Sequence, residues 1–187
     1  MTSPQTAGRS RARVFLAVLA GLLLVAGGLF ARFYDPLVDG GFSAPQGSGA
    51  TRVDDPVLGT AFVAQGPEGS TATFVYSVRN DGPVAVRVYA PGADGVPDDV
   101  VDVRWAPLMG PDRAMGGVRP DPTASSMRVA PGDVVAMWVT STKPSCSPGG
   151  SSTLMAIPVR WSVFGIGHVH QFELSPKGPP PLVQCKD

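Results

Sequence analysis

The sequence has little of several residue types that particular functions need, and each shortage argues against a class of protein. Two cysteines and two histidines in 187 residues are too few for a zinc-finger or ferredoxin framework. The 15 basic and 15 acidic side chains cancel, so the strongly basic stripe of a nucleic-acid-binding protein is missing. There is no G-x-S-x-G elbow, S-x-x-K motif, P-loop or Rossmann glycine pattern. We therefore predict a protein that is not an enzyme, uses no cofactor and binds no nucleic acid.

The neutral total conceals an uneven distribution of charge around one apolar run. Residues 1–13 carry three arginines and no acidic residue, whereas the chain from Arg32 onward carries more acidic than basic side chains. Between them, residues 14–31 read VFLAVLAGLLLVAGGLFA, without a charge. As a helix this run is about 27 Å long, close to the roughly 30 Å of a bilayer's hydrocarbon core. We predict a transmembrane helix at 14–31, anchored by Val14, Phe15, Leu16, Leu22, Leu23, Leu24, Val25, Leu29 and Phe30.

The arginines also predict the orientation of this segment. By the positive-inside rule, residues 1–13 are cytoplasmic and the rest of the chain lies outside the cell membrane, in a single-pass topology. A cleaved signal peptide is the alternative, with Ala26-Gly27-Gly28 as the cleavage site. The apolar character continues through Ala31, and Phe33 and Tyr34 resemble interfacial aromatic anchors. These features favour an uncleaved signal anchor.

A segment rich in Gly, Pro, Ser and Asp follows at 32–55 and shows no sustained apolar period. Such a composition buries too little apolar surface to offset the entropy of ordering the chain. We predict a linker that holds a domain away from the membrane. The alternative is that part of the segment forms an edge strand.

The remaining residues, 56–187, have the pattern of a β-domain. The runs at 71–79 (TATFVYSVR) and 84–90 (VAVRVYA) alternate apolar and polar residues, as half-buried strands do. Asn80-Asp81-Gly82-Pro83 joins them, and these are turn residues. We predict a β-hairpin here.

Shorter runs predict the other strands; several show the same alternation, whereas 133–141 is apolar on both faces, as expected for a central strand. They lie at 61–64, 100–105, 127–130, 133–141, 154–164 and 168–174, and Pro158 suggests an edge position or a bulge in one of them. Residues 109–126 form a long loop. Seven to eight short strands separated mostly by Gly/Pro turns indicate an all-β antiparallel β-sandwich.

Two stretches of the sequence resemble a known group of domains, namely FVYSVRNDGPVAVRV and VAPGDVVAMWV. They resemble the immunoglobulin-like sandwich domains of secreted actinobacterial proteins, in which an Asn-x-Gly turn joins two early strands and a Pro-Gly-acidic turn precedes a later one. The similarity covers about 61–174. A preference for Arg over Lys suggests a GC-rich genome, which fits such a source. The resemblance implies an immunoglobulin-like fold and an extracytoplasmic location, and no specific function, because this fold hosts many.

The two cysteines fit that compartment. Cys146 and Cys185 both lie beyond the apolar run, where a disulfide persists. A bridge would close a loop of about 40 residues, which the chain-entropy model values at about 4 kcal/mol. We predict this disulfide, which would hold the proline-rich tail 176–183 against the domain.

His168 and His170 are the chain's two histidines, and their spacing on a strand puts both on one face. Such a pair is able to ligate zinc or copper, and methionines are available as soft ligands for Cu(I). Some membrane-anchored copper-assembly factors combine one N-terminal anchor with an immunoglobulin-like domain, but the Cys-x-Cys copper motif of those factors is absent. Two histidines are an incomplete site, and the simpler interpretation is a pair of structural strand histidines.

Two further groups have structural interpretations. The carboxylates of Asp94, Asp98 and Asp99 lack the spacing of a calcium loop and indicate a solvated turn. The three tryptophans lie within strand patterns, where core packing is expected. We therefore predict a membrane-anchored binding or accessory module of the cell envelope, with an unknown protein or glycan partner. The alternative is an extracytoplasmic copper-binding protein that uses His168 and His170.

Overall fold

The computed structural model describes residues 6–90, 100–108, 124–147, 152–175 and 178–185; side chains at 6–13, 24, 31, 32 and 101 are outside that description. The chain divides into two compact units, Met1–Asp35 and Pro36–Asp187. The first contains a helix. The second contains twelve β-strands.

Helix α1 spans Thr6–Phe33 and includes the whole predicted apolar run. Its alanines and leucines are strong helix formers, and no proline interrupts it. Its apolar side chains are exposed along the described length, among them Val14, Phe15, Leu16, Leu22, Leu23, Val25, Leu29 and Phe30. Just past the helix, Tyr34 stacks on Phe30 with 4.6 Å between ring centroids. Among the residues that the structure describes, no helix combines the length and the apolarity of a membrane span.

The strands of the second unit are mostly short. They are β1 (Leu37–Gln46), β2 (Ala50–Asp55), β3 (Gly59–Ala64), β4 (Thr71–Asn80), β5 (Val86–Tyr89), β6 (Val100–Pro107), β7 (Ser126–Val129), β8 (Val134–Thr142), β9 (Ser152–Leu154), β10 (Ala156–Val163), β11 (Ile166–Glu173) and β12 (Leu182–Cys185).

These strands form three four-stranded sheets. The first has the order β1-β4-β8-β6, the second β11-β10-β5-β7 and the third β2-β3-β12-β9. All described pairings are antiparallel except that of β12 with β3. The all-β prediction is confirmed.

A core of large aromatic side chains joins the three sheets. Phe62 of the third sheet lies 5.8 Å from Phe74 and 5.9 Å from Tyr76 of the first, measured between ring centroids. Tyr76 in turn meets Phe172 of the second sheet edge-on, at 6.0 Å. All four side chains are buried. Trp105, Trp138 and Trp161 are buried as well, which confirms their interpretation as core residues.

The structure corrects the interpretation of 32–55 as a linker. Residues 37–46 and 50–55 are strands at the edges of the first and third sheets, as the alternative reading allowed. The register of β1 against β4 shifts between Asp39 and Ser43, which marks a β-bulge. The glycines of this segment accommodate it. The Ser77 hydroxyl closes the bulge by accepting the Phe42 N–H at 2.8 Å and donating to the Phe42 carbonyl at 2.9 Å.

The predicted hairpin at 71–90 is also wrong, although both of its strands exist. β4 pairs with β1 and β8, whereas β5 pairs with β10 and β7, so the chain crosses between two sheets. The buried Asn80 side chain holds the crossing. Its Nδ2 donates to the carbonyls of Val84 (2.8 Å) and Val129 (3.0 Å), and its Oδ1 accepts the Gly82 N–H (3.1 Å). A turn signal is local and does not specify which sheet the next strand joins.

The strand count is higher than the predicted seven to eight, because four strands were missed. Two lie in the supposed linker, and the others are β9 and β12. β12 begins at the end of the proline-rich tail. It is only four residues long, yet it is a central strand of the third sheet. Pro158 lies in the central strand β10 rather than at an edge, at a position where β11 pairs with it but no described β5 residue does.

Candidate functional site

An open cavity of about 550 Å³ lies on the second sheet, near the turn between β10 and β11. Three neighbouring strands, β5, β10 and β11, supply most of its wall. The lining residues are Tyr89, Ala90, Arg160, Trp161, Gly167, His168 and Val169. None of them was predicted to form a cavity, although His168 was named as a candidate metal ligand in the alternative function.

The pairing register divides the residues that line the cavity between the two faces of the sheet. Arg160 lies directly between Tyr89 of β5 and Val169 of β11, so these three side chains form one row on the same face. The next row, which includes Trp161 and His168, points to the opposite face. Because Trp161 is 1% exposed, its ring faces the core. Tyr89, Arg160 and Val169 line the cavity from the face opposite the Trp161 ring; we call this face the outer face and name the cavity after it.

Two features keep this outer face open and ordered. Gly167 contributes no side chain, and a Cβ atom built there meets no atom within 4 Å. The Tyr89 hydroxyl lies 3.0 Å from the Ser162 hydroxyl and shares a hydrogen bond with it. The tyrosine ring is thus held in place beside an open space, which is the arrangement of a small-ligand site.

The outer face is also basic. Arg87 and Arg128 lie directly opposite each other on β5 and β7, and both are exposed. Ser162 of β10 pairs with Arg87, which places this row beside the row of Arg160. Neither Arg87 nor Arg128 forms an ion pair with any residue that the structure describes. Like charges directly opposite in a sheet are destabilising, so these two residues do not contribute to folding through their charges.

The predicted metal ligands lie on the other face of the same sheet. His168 stacks on Trp161 with 4.3 Å between ring centroids and an interplanar angle of 15°, and His170 pairs with Val159. Both are half-buried. The Nε2 atom of His168 is buried without a hydrogen-bond partner among the described residues. The sequence correctly placed both histidines on one face, and the stacking on Trp161 explains the burial of His168.

Two of the described methionines, Met127 and Met137, are not placed to complete a metal site with the histidines. Met127 shares a row with His168, but Val88 and Trp161 lie between them, which puts the two about 14 Å apart at the usual strand spacing. Met137 is fully buried in the first sheet. In the described part of the chain, no group of three His, Cys, Asp or Glu side chains is arranged to hold a metal ion. Met109, Met115, Asp94, Asp98 and Asp99 lie outside the described residues.

The disulfide predicted from the sequence is present between Cys146 and Cys185, with 5.6 Å between the two Cα atoms. It ties the segment after β8 to the end of β12. Next to it the buried Gln184 donates from Nε2 to the Ser141 hydroxyl (2.9 Å) and accepts from the Ser152 hydroxyl (3.0 Å). This end of the domain is therefore structural and lies apart from the residues that line the cavity.

Sequence reasoning missed the cavity because its wall joins residues far apart in the chain. Tyr89 and Arg160 are neighbours only through strand pairing. One signal was present: Arg87, Arg128 and Arg160 each occupy the polar phase of an alternating strand. Which strands are adjacent was not predictable from that pattern.

The chain was compared with known proteins. No protein-family model matches it, and a search of curated protein sequences gave no match either.

Proposed function

We propose that this protein is a membrane-anchored binding module of the cell envelope and that the outer-face cavity is its binding site. The observation that carries the proposal is the cavity itself. Its volume of about 550 Å³ lies within the roughly 300–1,000 Å³ of small-molecule sites, and an ordered tyrosine and an arginine line it. Three paired strands carry the wall, so the site is preformed rather than assembled by loops.

An immunoglobulin-like topology is part of this proposal, and the strand orders support it. The order β1-β4-β8-β6 corresponds to strands A-B-E-D of that fold, and β11-β10-β5 corresponds to G-F-C. β7 extends the second sheet beside β5, where variable-type domains have an additional strand, but it follows the D-equivalent β6 in the chain, whereas that additional strand precedes D. The third sheet is an addition to this arrangement. The fold supports a binding role only weakly, because it hosts many functions.

The location outside the membrane rests on two further observations. The disulfide supports an oxidising compartment. The uncharged run at 14–31 supports an anchor, and its described side chains are apolar and exposed; Leu24 and Ala31 belong to the run but not to the described side chains. Three arginines precede it, which supports a cytoplasmic N-terminus.

The binding role is tested by screening the full chain in a neutral detergent against a small-molecule set of mixed chemistry. The set contains sugars, amines, amides, carboxylates and phosphates, and binding is followed through the backbone amide signals of the cavity residues. We expect at least one class to cause saturable shifts confined to β5, β10 and β11.

A blocked variant provides the control. In Gly167→Leu the new side chain enters open space, so the fold is retained while the cavity is filled. Gly41→Leu, the same substitution away from the cavity, is unsuitable as a matched control variant. The φ angle at Gly41 is +81°, so any side chain there strains the backbone. If no compound binds, or if binding is unchanged in Gly167→Leu, the cavity is not the site and the proposal fails.

The alternative is copper binding by His168 and His170. One observation favours it: Nε2 of His168 is buried and has no hydrogen-bond partner among the described residues, so it is an available nitrogen ligand. Titration with Cu(I) and Cu(II), with metal content measured after dialysis, compares the wild type with His168→Ala/His170→Ala. Stoichiometric uptake lost in the variant would establish this function. Absence of uptake by the wild type would remove it.

A further inference from the structure

We infer that the turn between β10 and β11 inserts into the surface of the lipid bilayer through the side chains of Phe164 and Ile166. We call residues 164–166 the tip. The inference rests on the membrane anchor of the proposed function and adds a second membrane contact, which the β-domain itself makes. The partner is the interfacial region of a bilayer, and the contact is apolar rather than charged.

The tip combines exposed apolar side chains with a strained backbone. Phe164 is 77% exposed and Ile166 is 45% exposed. Phe164 also has a φ angle of +50°, and within the described part of the chain every other residue with positive φ is a glycine. Backbone outliers of this kind cluster at functional sites. Because the domain does not bury the Phe164 ring, the ring is available for a contact outside the domain.

The chain enters the β-domain at one end, beside the last residues of β4. Leu37, the first residue of β1, pairs with Asn80, the last residue of β4. The carbonyl of Pro36 accepts the Asp81 N–H at 2.9 Å. The segment that follows β4 and the segment that precedes β1 therefore lie side by side at this end, which we call the entry end.

The tip lies at the entry end too. The Asn80 side chain donates to the carbonyl of Val129, and Val129 pairs with Val86, the first residue of β5. The next residue of β5 pairs with Ser162, near the end of β10. Phe164 follows Ser162 by two residues, so strand pairing carries the entry end from β1 across to the tip.

Three residues, 34–36, connect the entry end to the end of α1 at Phe33. A fully extended chain spans at most about 3.6 Å per residue, so chain length alone keeps the Cα atoms of Phe33 and Leu37 within about 14 Å. Phe33 is 77% exposed, and aromatic residues at the ends of membrane helices lie at the level of the headgroups. An anchor of this kind keeps the entry end within reach of the interface, which favours lipid as the partner of the tip.

The charges at the entry end indicate that anionic headgroups do not drive the contact. Asp81 pairs with Arg79 at 3.4 Å, and the exposed Asp133 accepts the Asn80 N–H through its carbonyl at 3.1 Å. Carboxylates at this end do not attract anionic lipid. Apolar side chains gain free energy by leaving water, and aromatic rings are enriched at membrane interfaces. We therefore expect contact with zwitterionic lipid and little dependence on salt.

The experiment measures the depth of the tip in vesicles of phosphatidylcholine that contain the full chain. Phe164→Trp replaces one exposed aromatic side chain with another, and subtraction of the wild-type spectrum removes the emission of the native tryptophans. We expect brominated phosphatidylcholine to quench about half of the added emission, because an interfacial side chain lies about 5–10 Å deep. The added emission should also be shifted to the blue.

Two further variants serve as controls. Glu68→Trp adds an exposed tryptophan in the segment before β4, at the opposite end of that strand from Asn80. Its added emission should be typical of water and should not be quenched by brominated lipid. Phe164→Trp/Ile166→Asp places a carboxylate at the tip and should lose most of the quenching, because a charge resists transfer out of water.

Flotation of the same vesicles tests the anchor by itself. If the full chain does not float with the lipid, the anchor of the proposed function fails and this inference fails with it. If the chain floats but Phe164→Trp is quenched no more than Glu68→Trp, the anchor stands and the inference is overturned. A blue shift without quenching would indicate a protein partner, such as a second copy of the chain, and would also overturn it. So would full quenching in Phe164→Trp/Ile166→Asp.

Discussion

At the scale of single residues, several side chains have roles that their sequence neighbours do not reveal. Asn80 is fully buried and uses both ends of its amide to hold the crossing from the first sheet to the second. Phe164 is the opposite case. It is 77% exposed and adopts φ +50°, in the tight turn between β10 and β11. A bulky residue in the left-handed region has a strained backbone. Because the Phe164 ring is mostly exposed, its burial compensates for little of that strain.

Replacing Phe164 with Asn should therefore stabilise the protein. Asn tolerates positive φ and is typical of two-residue hairpin turns, so we expect a gain of about 1 kcal/mol in the free energy of unfolding. The measurement is denaturant unfolding of wild type and variant. Val57→Asn is the control, because Val57 is 85% exposed and is not among the described residues with positive φ. A loss of stability in Phe164→Asn would mean that the ring has contacts that stabilise the fold.

Tyr76 predicts how stability depends on alkaline pH. Burial raises the pKa of its phenol well above the ordinary value of about 10, and its hydroxyl donates to the Pro180 carbonyl at 3.2 Å. Below pH 10 the phenol is neutral in both the folded and the unfolded state, so the contribution of Tyr76 to the free energy of unfolding is fully present. Above pH 10 the unfolded chain loses a proton that the folded chain keeps, so stability falls by about 1.4 kcal/mol per pH unit.

In Tyr76→Phe that dependence on pH should disappear. The variant should also lose about 1 kcal/mol at neutral pH, because the Pro180 carbonyl loses its donor. Unfolding by denaturant at several pH values between about 7 and 11 measures both effects. Identical alkaline slopes in the two proteins would contradict the burial of Tyr76.

At the scale of the elements, β1 decides whether the segment after the helix is part of the domain. A Cβ atom at Gly40 would lie 2.6 Å from Ser77 Oγ and 2.7 Å from Val134 Cγ1. We expect Gly40→Ala to destabilise the domain by about 2 kcal/mol, because these neighbours must move. Thermal and denaturant unfolding measure the change. Gly167→Ala is the control, since its Cβ would meet no atom within 4 Å.

If Gly40→Ala left the free energy of unfolding unchanged, residues 37–46 would behave as the linker that their composition suggested.

The strands differ in how far the sequence alone predicted them. The eight strands predicted from apolar runs all exist, because burial of one face imposes a period of two on a half-buried strand, and burial of both faces imposes a continuous apolar run on a central strand such as β8. β1 and β12 have no such period. Their pairing depends on β4, β3 and β9, which hold them from outside the segment.

At the scale of the whole molecule, the disulfide and the third sheet stabilise one end of the domain. β12 is central in that sheet, and Cys185 at its end is bonded to Cys146 after β8. Cys146→Ser/Cys185→Ser should lower the free energy of unfolding by about 2–4 kcal/mol through the larger entropy of the unfolded chain. Denaturant unfolding measures this loss.

Hydrogen exchange should locate the effect of the missing disulfide. We expect lower protection of β12 and β9, whose attachment depends on the bridge and on Gln184, and little change in β10 and β11. The residues of the cavity lie on the second sheet, so ligand binding there should survive in the protein without the disulfide. Loss of binding together with the disulfide would show that the two ends of the domain are coupled.

The sequence by itself determined the local features of this protein: the apolar run, the positions of eight strands, the all-β class and the choice of the two cysteines as partners. These follow from composition, from alternation with a period of two and from a count of residues. Only the tertiary structure decided that β4 and β5 belong to different sheets and that Tyr89, Arg160 and Val169 form one row. It also decided that Arg87 faces Arg128. The physical reason is that register joins residues distant in the chain, and the energy that selects it comes from burial shared among all the strands.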